Sequence, residues 1–289
     1  MSKPAIGVIG VGMMGAGMAG RLLDAGHPVT LRVHRNRTRA APLLARGARE
    51  AADLPALIQD CDVLLTCLPN ADVVGELAET VVPLMRAGQI WIDTTTSRPG
   101  TSEAVAERLE ARGAIFADAP VTGGPPQAES GQLVSMIGCA EAHLDAVAAV
   151  VGAYSKDLRR IGGPGRGHAA KLLNNLVTQG TLILLADAYR TAAAIGVDTA
   201  ALFDVMMGGS GRSGTLEKAV GPALRGDLGG SQFTIENASK DLHYARDLIA
   251  QSGLAHTEVA AVMAARLESH VAAGQGASFV STMLGAESP

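Results

Sequence analysis

Ala5–Gly26, AIGVIGVGMMGAGMAGRLLDAG, is the stretch that decides the fold. It opens with a short apolar run that reads as a strand, passes through Gly10, Gly12 and Gly15, and continues in a helical pattern from Met13 to Asp24 until Gly26 stops it. This is G-x-G-x-x-G after a strand and at the opening of a helix, the context in which the pattern binds a dinucleotide. Gly10 permits the tight turn, Gly12 lets backbone approach a pyrophosphate, and Gly15 lets helix and strand pack closely. The anion meets the N–H groups of a helix N-terminus, which places Met13 and Met14 beside it.

The next strand, Val29 to His34, should end in Asp or Glu about 20 residues beyond the turn if the cofactor is NAD. The chain reads Arg32, Val33, His34, Arg35, Asn36, Arg37, Thr38, Arg39 instead. A carboxylate there would repel a 2′-phosphate, whereas a guanidinium grips one in bidentate fashion. NADP is therefore the expected cofactor, with NAD possible. Strand-like runs at Asp62–Cys67, Gln89–Asp93, Ala114–Asp118, Leu133–Ile137 and Asp157–Arg160 alternate with helical ones at Pro99–Arg112 and Glu141–Val151. That alternation predicts an α/β, Rossmann-type doubly wound sheet with helices on both faces. Ligands in such sheets sit beyond the C-terminal strand ends, where this chain has Leu68-Pro69-Asn70, Thr94-Thr95-Thr96 and Asp118 to Gly124.

After Gly162 the strand signals cease. Pro164 to Gly196 reads as one long helix, with apolar residues at Leu172, Leu176, Ile183, Ala186 and Ala193 and no internal proline. At about 1.5 Å per residue it extends roughly 40 Å or more, enough to cross more than one structural unit. Further helices are expected at Thr199–Met207 capped by Asp198, Ile235–Ser252 capped by Thr234, and His256–Ala272. The expected domains are 1–162, dinucleotide-binding, and 163–289, all-helical. On the long helix, Lys171 and Asn175 stand at i and i+4, so an ammonium and an amide share an otherwise apolar face. Spacing alone leaves two readings open, an exposed lysine with a cap-like amide or a reactive pair. His168, one turn earlier, reads as a surface or cap histidine.

Composition narrows the function. The 289 residues are 47% hydrophobic, and 24 basic side chains face 28 acidic ones, a balance that implies neither a nucleic-acid nor a membrane partner. Cys61, Cys67 and Cys139 form no CxxC pair and fit buried, unreactive thiols in a reducing compartment. The opening residues lead straight into a strand without an apolar targeting segment, and no apolar run reaches about 18 residues, so a cytoplasmic location is expected. No cluster of metal-ligating residues is evident.

GVIGVGMMGAGMAGRLL, IDTTTSRPGTSE, DAPVTGGPPQAESGQL, GRGHAAKLLNN, GGSGRS and SKDL occur in the order seen in the β-hydroxyacid dehydrogenases, and the chain resembles that family over nearly its whole length. The family includes 3-hydroxyisobutyrate dehydrogenase and the tartronate and succinic semialdehyde reductases. The resemblance implies that Lys171 is the catalytic lysine, that Asn175 positions the substrate, and that Thr122, Gly123 and Gly124 hold the substrate carboxylate. It likewise implies cofactor contacts from Leu68, Pro69, Thr96, Phe233 and Lys240, and a phosphate-binding role for Asn36-Arg37-Thr38. Thr122 stands where the family usually has serine, Asp187 where it has glutamate, and Phe279 where it has aspartate.

The chemistry so implied is NADP-dependent interconversion of a small β-hydroxyacid and its semialdehyde or keto acid. Lys171 would protonate the developing alkoxide and take the proton back in oxidation. A lysine near about 10.4 is too basic for efficient return, so burial is expected to lower its pKa. A homodimer or homotetramer is expected, because the alanine-rich helices offer more apolar face than the helical domain can bury alone. Two rivals remain. One is an imine reductase of the same frame, although that class typically replaces the lysine and alters the Ser-Gly-Gly segment. The other is a non-catalytic cofactor-binding protein, for which Phe279 is the best support.

Overall fold

A computed structural model describes residues 3–34, 37–254 and 258–285. The chain divides into two compact units, the first ending at Lys171 and the second beginning at Leu172.

The first unit runs β1 (Ile6–Ile9), α1 (Met13–Asp24), β2 (Val29–Arg32), α2 (Arg37–Ala45), β3 (Arg49–Glu50), α3 (Leu54–Asp60), β4 (Val63–Thr66), α4 (Ala71–Leu84), β5 (Ile90–Asp93), α5 (Pro99–Glu110) and β6 (Ile115–Asp118). It continues through β7 (Val121–Thr122), α6 (Pro125–Ser130), β8 (Leu133–Gly138), a 3-10 turn (Glu141–His143), α7 (Leu144–Val151) and β9 (Ser155–Gly162). The strands order as β3-β2-β1-β4-β5-β6-β8-β7, with β9 on β8. Every pairing from β3 to β6 is parallel. β8 runs antiparallel to both β6 and β7, then parallel to β9. Residues 123–132 are too few for a crossover of about a dozen residues that would return β8 parallel to β7.

The central strands are apolar throughout because both sheet faces are covered. Val63, Leu65, Ile90 and Ile92 point into a core with Met18 and Leu22 of α1 and Val147 and Val150 of α7. The intervening Leu64 and Trp91 enter a second core with Leu57 of α3, Val74 and Val81 of α4, and Val105 of α5. Successive side chains point to opposite faces, so one continuous apolar run serves two cores.

Several expected bounds shift. β2 stops at Arg32, two residues before His34; β9 extends at both ends; and the helix expected at Glu141–Val151 begins as a 3-10 turn. The long helix is α8 (Arg166–Ala194), and the division between the units falls within it. Gly165 before it and Gly196 after it hold φ of 84° and 77°, which glycine alone adopts cheaply.

The second unit continues from α8 through α9 (Thr199–Gly208), a π turn (Leu216–Val220), α10 (Gly221–Ala223), α11 (Ile235–Gln251), α12 (Glu258–His270), a second π turn (Val271–Gln275) and a 3-10 turn (Val280–Leu284). Leu182, Ile183 and Ala186 of α8 pack with Ala238 and Leu242 of α11 and Ala264 and Leu267 of α12. Asp198 caps α9 by accepting from the N–H groups of Ala200 and Ala201, and Thr234 caps α11 by accepting from Asn237. The helix expected at His256–Ala272 is shorter and gives way to the π turn near Gly274, whose φ is 81°; His256 lies outside the described residues. Among the described residues no helix is long and apolar enough to cross a membrane.

Candidate active site

Four parallel strands end side by side, with Ile9 opposite Thr66, Thr66 opposite Asp93 and Asp93 opposite Asp118. The glycine turn lies at the first of these ends. Gly10 has φ +99°, and a Cβ there would run into the Cys67 carbonyl; one at Gly15 would run into the Gly10 carbonyl oxygen. A Cβ on Gly12 would meet no protein atom within 4 Å. Two of the three glycines are therefore demanded by the protein itself, and the third leaves a space beside the start of α1, which no side chain caps. That cradle fits a pyrophosphate. Met13 is exposed beside it, and Met14 turns partly into the core.

Arg37 opens α2, where Thr38 and Arg39 are also exposed. Its guanidinium grips Glu50 of β3 in bidentate fashion, at 3.1 and 2.8 Å. Glu50, which pairs with Leu31, thus brings a carboxylate from the neighbouring strand onto Arg37. Sequence spacing had no signal for it. Arg35 and Asn36 lie outside the described residues.

The loops after β4 and β5 are tied together. Thr66 and Thr95 both donate their hydroxyls to Asp93 Oδ1, at 2.8 and 2.6 Å, and the N–H of Leu68 donates to Thr95 Oγ1 at 3.0 Å. This fixes Leu68 and Pro69 against the segment that leads to Thr96. After β6 the chain turns into β7, where Thr122 pairs with Val134. Gly123 has φ +123°, and a Cβ there would lie 2.8 Å from Leu133 Cδ2. The N–H of Gly124 is donated to Gln127 Oε1 at 2.8 Å, so a carboxylate bound by this segment would compete with that amide.

His168 corrects the sequence reading. It is fully buried rather than at the surface. Its Nδ1 lies 2.7 Å from Ser102 Oγ on α5, and its Nε2 lies 3.9 Å from Asp93 Oδ2. Asp118, also fully buried, accepts from the N–H of Gly165 through Oδ1 and from that of His168 through Oδ2, both at 2.6 Å. Burial pushes the Asp118 carboxyl above the usual carboxylate range, against the opposing pull of His168 and the two N–H donors. Its partners lie about 50 positions away in sequence, which is why neither residue was singled out for this role. Lys171 follows one turn later and is partly buried.

In the second unit, Asn175 is 4% exposed. Its amide donates to Asp241 Oδ2 at 2.6 Å and accepts from Asn174 Nδ2 at 3.2 Å, which fixes which end is oxygen. Asp241 also pairs with Lys240 at 2.8 Å, and the Lys240 ammonium lies 5.3 Å from the centre of the Tyr244 ring. Asp241 is a member of this cluster that sequence reading passed over, although it stands in the SKDL motif. Phe233 is half-buried against the helical core, and its carbonyl accepts from Val280 N–H at 2.8 Å. Among the described residues no three His, Cys, Asp or Glu side chains gather as a metal site.

Residues 5–163 match the family described as the NAD binding domain of 6-phosphogluconate dehydrogenase, and residues 165–286 match that described as the NAD-binding of NADP-dependent 3-hydroxyisobutyrate dehydrogenase. The chain belongs to the β-hydroxyacid dehydrogenase family. An uncharacterised oxidoreductase of Shewanella frigidimarina is 33% identical over 266 residues, 89% of each chain. A probable 3-hydroxyisobutyrate dehydrogenase of Mycobacterium tuberculosis is 30% identical over 254 residues, 86% of each. The structure of Mycobacterium tuberculosis 3-hydroxyisobutyrate dehydrogenase with L-serine superposes with a TM-score of 0.88 at 27% identity, covering 97% of this chain and 98% of that one. In activity class the chain is accordingly an NAD(P)-dependent oxidoreductase of the 3-hydroxyisobutyrate dehydrogenase type.

Proposed function

We propose that the chain interconverts a small β-hydroxyacid and its semialdehyde or keto acid, with NADP as the preferred cofactor and Lys171 as general acid and base. The observation that carries this reading is the anchoring of the first turn of α8, the turn before Lys171, to the end of β6 through Asp118 and to α5 through His168 and Ser102. Leu68 and Pro69 follow the end of β4, Thr96 follows that of β5, and Thr122 to Gly124 follow that of β6. When bound, the nicotinamide supplies or accepts the hydride. Gly10, Gly12, Met13, Met14 and Gly15 would hold the pyrophosphate, and Arg37 and Thr38, with Asn36, the 2′-phosphate. Leu68, Pro69, Thr96, Phe233 and Lys240 would complete the cofactor contacts.

In this reading the Lys171 ammonium gives a proton to the carbonyl oxygen during reduction and recovers it from the hydroxyl during oxidation. Thr122 Oγ1 and the N–H groups of Gly123 and Gly124 hold the substrate carboxylate, with Gln127 displaced. Asn175 aims the substrate, its amide fixed by Asp241. Retention of Lys171 and of Thr122-Gly123-Gly124 speaks against an imine reductase. For Arg37, an exposed ion pair stabilises by only about 0–1 kcal/mol, so a phosphate carrying nearly two charges can displace Glu50.

The test is a panel of small hydroxyacids, 3-hydroxyisobutyrate and 2-(hydroxymethyl)glutarate among them, and of semialdehydes, followed at 340 nm with each cofactor. On an accepted substrate, Lys171→Ala is expected to lower kcat by about 10²-fold to 10⁴-fold with NADPH affinity unchanged. Lys171→Arg will not rescue it, since a guanidinium does not give up its proton at working pH. Full activity in the alanine variant would move the acid away from α8.

A further inference from the structure

We propose that Asp118 is the positioning residue for Lys171, acting by holding the first turn of α8 against the sheet, with His168 and Ser102 as its lateral brace. The inference rests on the reading of Lys171 as proton donor and adds the residues that aim it.

The geometry is unusually constrained. An α-helix begins with N–H groups that lack intrahelical partners, and these are ordinarily satisfied by a side chain from the residue just before the helix. Gly165 has no side chain to offer. Its N–H and that of His168 are instead taken by one carboxylate that arrives from the end of β6, some 50 residues away, each at 2.6 Å. The negative charge also lies where the helix dipole favours it. Close packing surrounds this junction. A Cβ on Gly167 would lie 2.8 Å from Asp118 Oδ2 and 3.0 Å from the Asp118 carbonyl oxygen, and one on Gly138 would lie 2.7 Å from the Gly167 nitrogen. Backbone of β8, the Asp118 side chain and the first turn of α8 therefore meet without an intervening layer. The imidazole of His168, pinned to Ser102 Oγ at 2.7 Å, keeps the same turn from rotating about that cap.

Lys171 is the next residue along this face, one turn beyond His168. Asp118 is also four residues before Thr122, so the segment proposed to hold the substrate carboxylate and the cap that sets the lysine are parts of one short stretch of chain. A proton donor misplaced by about 1 Å can cost about 10²-fold in rate even when nothing that touches the substrate has changed. Asp118 touches neither substrate nor cofactor in this account, and its effect on turnover passes entirely through the helix.

Asp118→Asn keeps the shape but turns one acceptor oxygen into an NH2 group facing an N–H, so one of the two cap bonds is lost. The expected result, measured well below the melting temperature on the most active member of the panel, is a kcat lowered about 10-fold to 100-fold, with the KM for NADPH and for substrate changed by less than about 3-fold. In a Lys171→Ala background, at enzyme concentrations raised to match its slower turnover, Asp118→Asn is expected to change kcat by less than about 2-fold, because there is no longer an acid to aim. A general loss of structure would instead lower both backgrounds alike. If circular dichroism shows that Asp118→Asn does not fold, Ser102→Ala leaves the cap in place and removes only the brace; it is expected to lower kcat about 3-fold to 10-fold with the same dependence on Lys171. Wild-type kcat in the folded variants, or equal losses with and without Lys171, overturns the inference while leaving the role of Lys171 intact. Full activity of Lys171→Ala, or no turnover across the panel, overturns the reading beneath it, and the inference with it.

Discussion

Gly12 and Gly15 belong to the same turn and to the same motif, yet alanine at each is expected to fail for opposite reasons. At Gly15 the new methyl would fall on the Gly10 carbonyl oxygen and 3.1 Å from its carbon, and both neighbours are backbone, so no side-chain rotation relieves it. Separating α1 from the end of β1 by roughly 1 Å belongs near the upper end of overpacking costs, about 3 kcal/mol. In a protein of this size each kcal/mol moves Tm by about 2–4 °C, so a fall of roughly 6–12 °C is expected. At Gly12 the methyl meets nothing within 4 Å, and the backbone is extended, with φ −83°. The folding cost is that of a poorer helix cap, about 0.5–1 kcal/mol, which corresponds to a fall of about 1–4 °C. The methyl does, however, occupy the space where the phosphate would approach, and NADPH is expected to bind at least about 10-fold more weakly. Thermal denaturation and a fluorescence titration with NADPH on both variants separate the two effects. Unchanged NADPH affinity in Gly12→Ala, or a Tm in Gly15→Ala within 2 °C of the parent, would refute this account of the turn.

Arg37→Asp is expected to weaken NADPH binding far more than NADH binding, and Glu50→Gln, which frees the guanidinium, to tighten NADPH; equal use of both cofactors by the unaltered protein would count against the assignment. Burial pushes the Cys61 and Cys67 thiols up to about 11, so neither is expected to react with a thiol reagent at pH 8 until the protein is unfolded, and rapid native labelling would disprove it. Because its folded value exceeds the unfolded one, the Cys61 contribution is complete below about pH 9 and is lost as pH rises toward 11, by about 2–3 kcal/mol, which alkaline denaturation curves of Cys61→Ser can check. Val177, Leu184 and Val259 are 67%, 63% and 66% exposed along an apolar groove of the second unit. Light scattering is expected to report a dimer or tetramer, with aspartate at Val177 and Leu184 shifting it toward monomer; a monomeric parent at micromolar concentration would exclude this.

The parts of the fold that were legible in the sequence are those whose cause is local. The glycine turn announces itself because three backbone constraints fall within six residues, and the buried strands do so because apolar runs such as VLLT at Val63–Thr66 have no other use. The length of α8 and the caps at Asp198 and Thr234 were readable for the same reason. What escaped depends on partners distant in the chain. His168 carries no tag for burial; Ser102 bonds its imidazole and Asp118 its backbone N–H, each brought in from another element. Glu50 lies in a strand of two residues, too short for any period to show, and so the partner of Arg37 could not be foreseen. The antiparallel turn of β8 follows from the shortness of one connection rather than from the composition of the strand. Asn175 was recognised, but the carboxylate that orients its amide was not, because Asp241 comes from α11, a helix that begins 60 positions further on.

Gly17 on α1 and Ala128 on α6 face each other so closely that a Cβ on the glycine would lie 2.8 Å from the alanine methyl and 2.9 Å from its carbonyl carbon. α6 starts directly after Gly124, and α1 starts directly after Gly12, so this contact joins the helix that follows the dinucleotide turn to the helix that follows the Thr122–Gly124 segment. No layer of side chains lies between them to absorb a change in either. For anyone remodelling the enzyme toward a different substrate or a different cofactor, the two specificities are not independent dials. Bulk added beneath one loop will tilt the other, and a library that varies them jointly, with positions 17 and 128 held fixed, is the search this architecture invites.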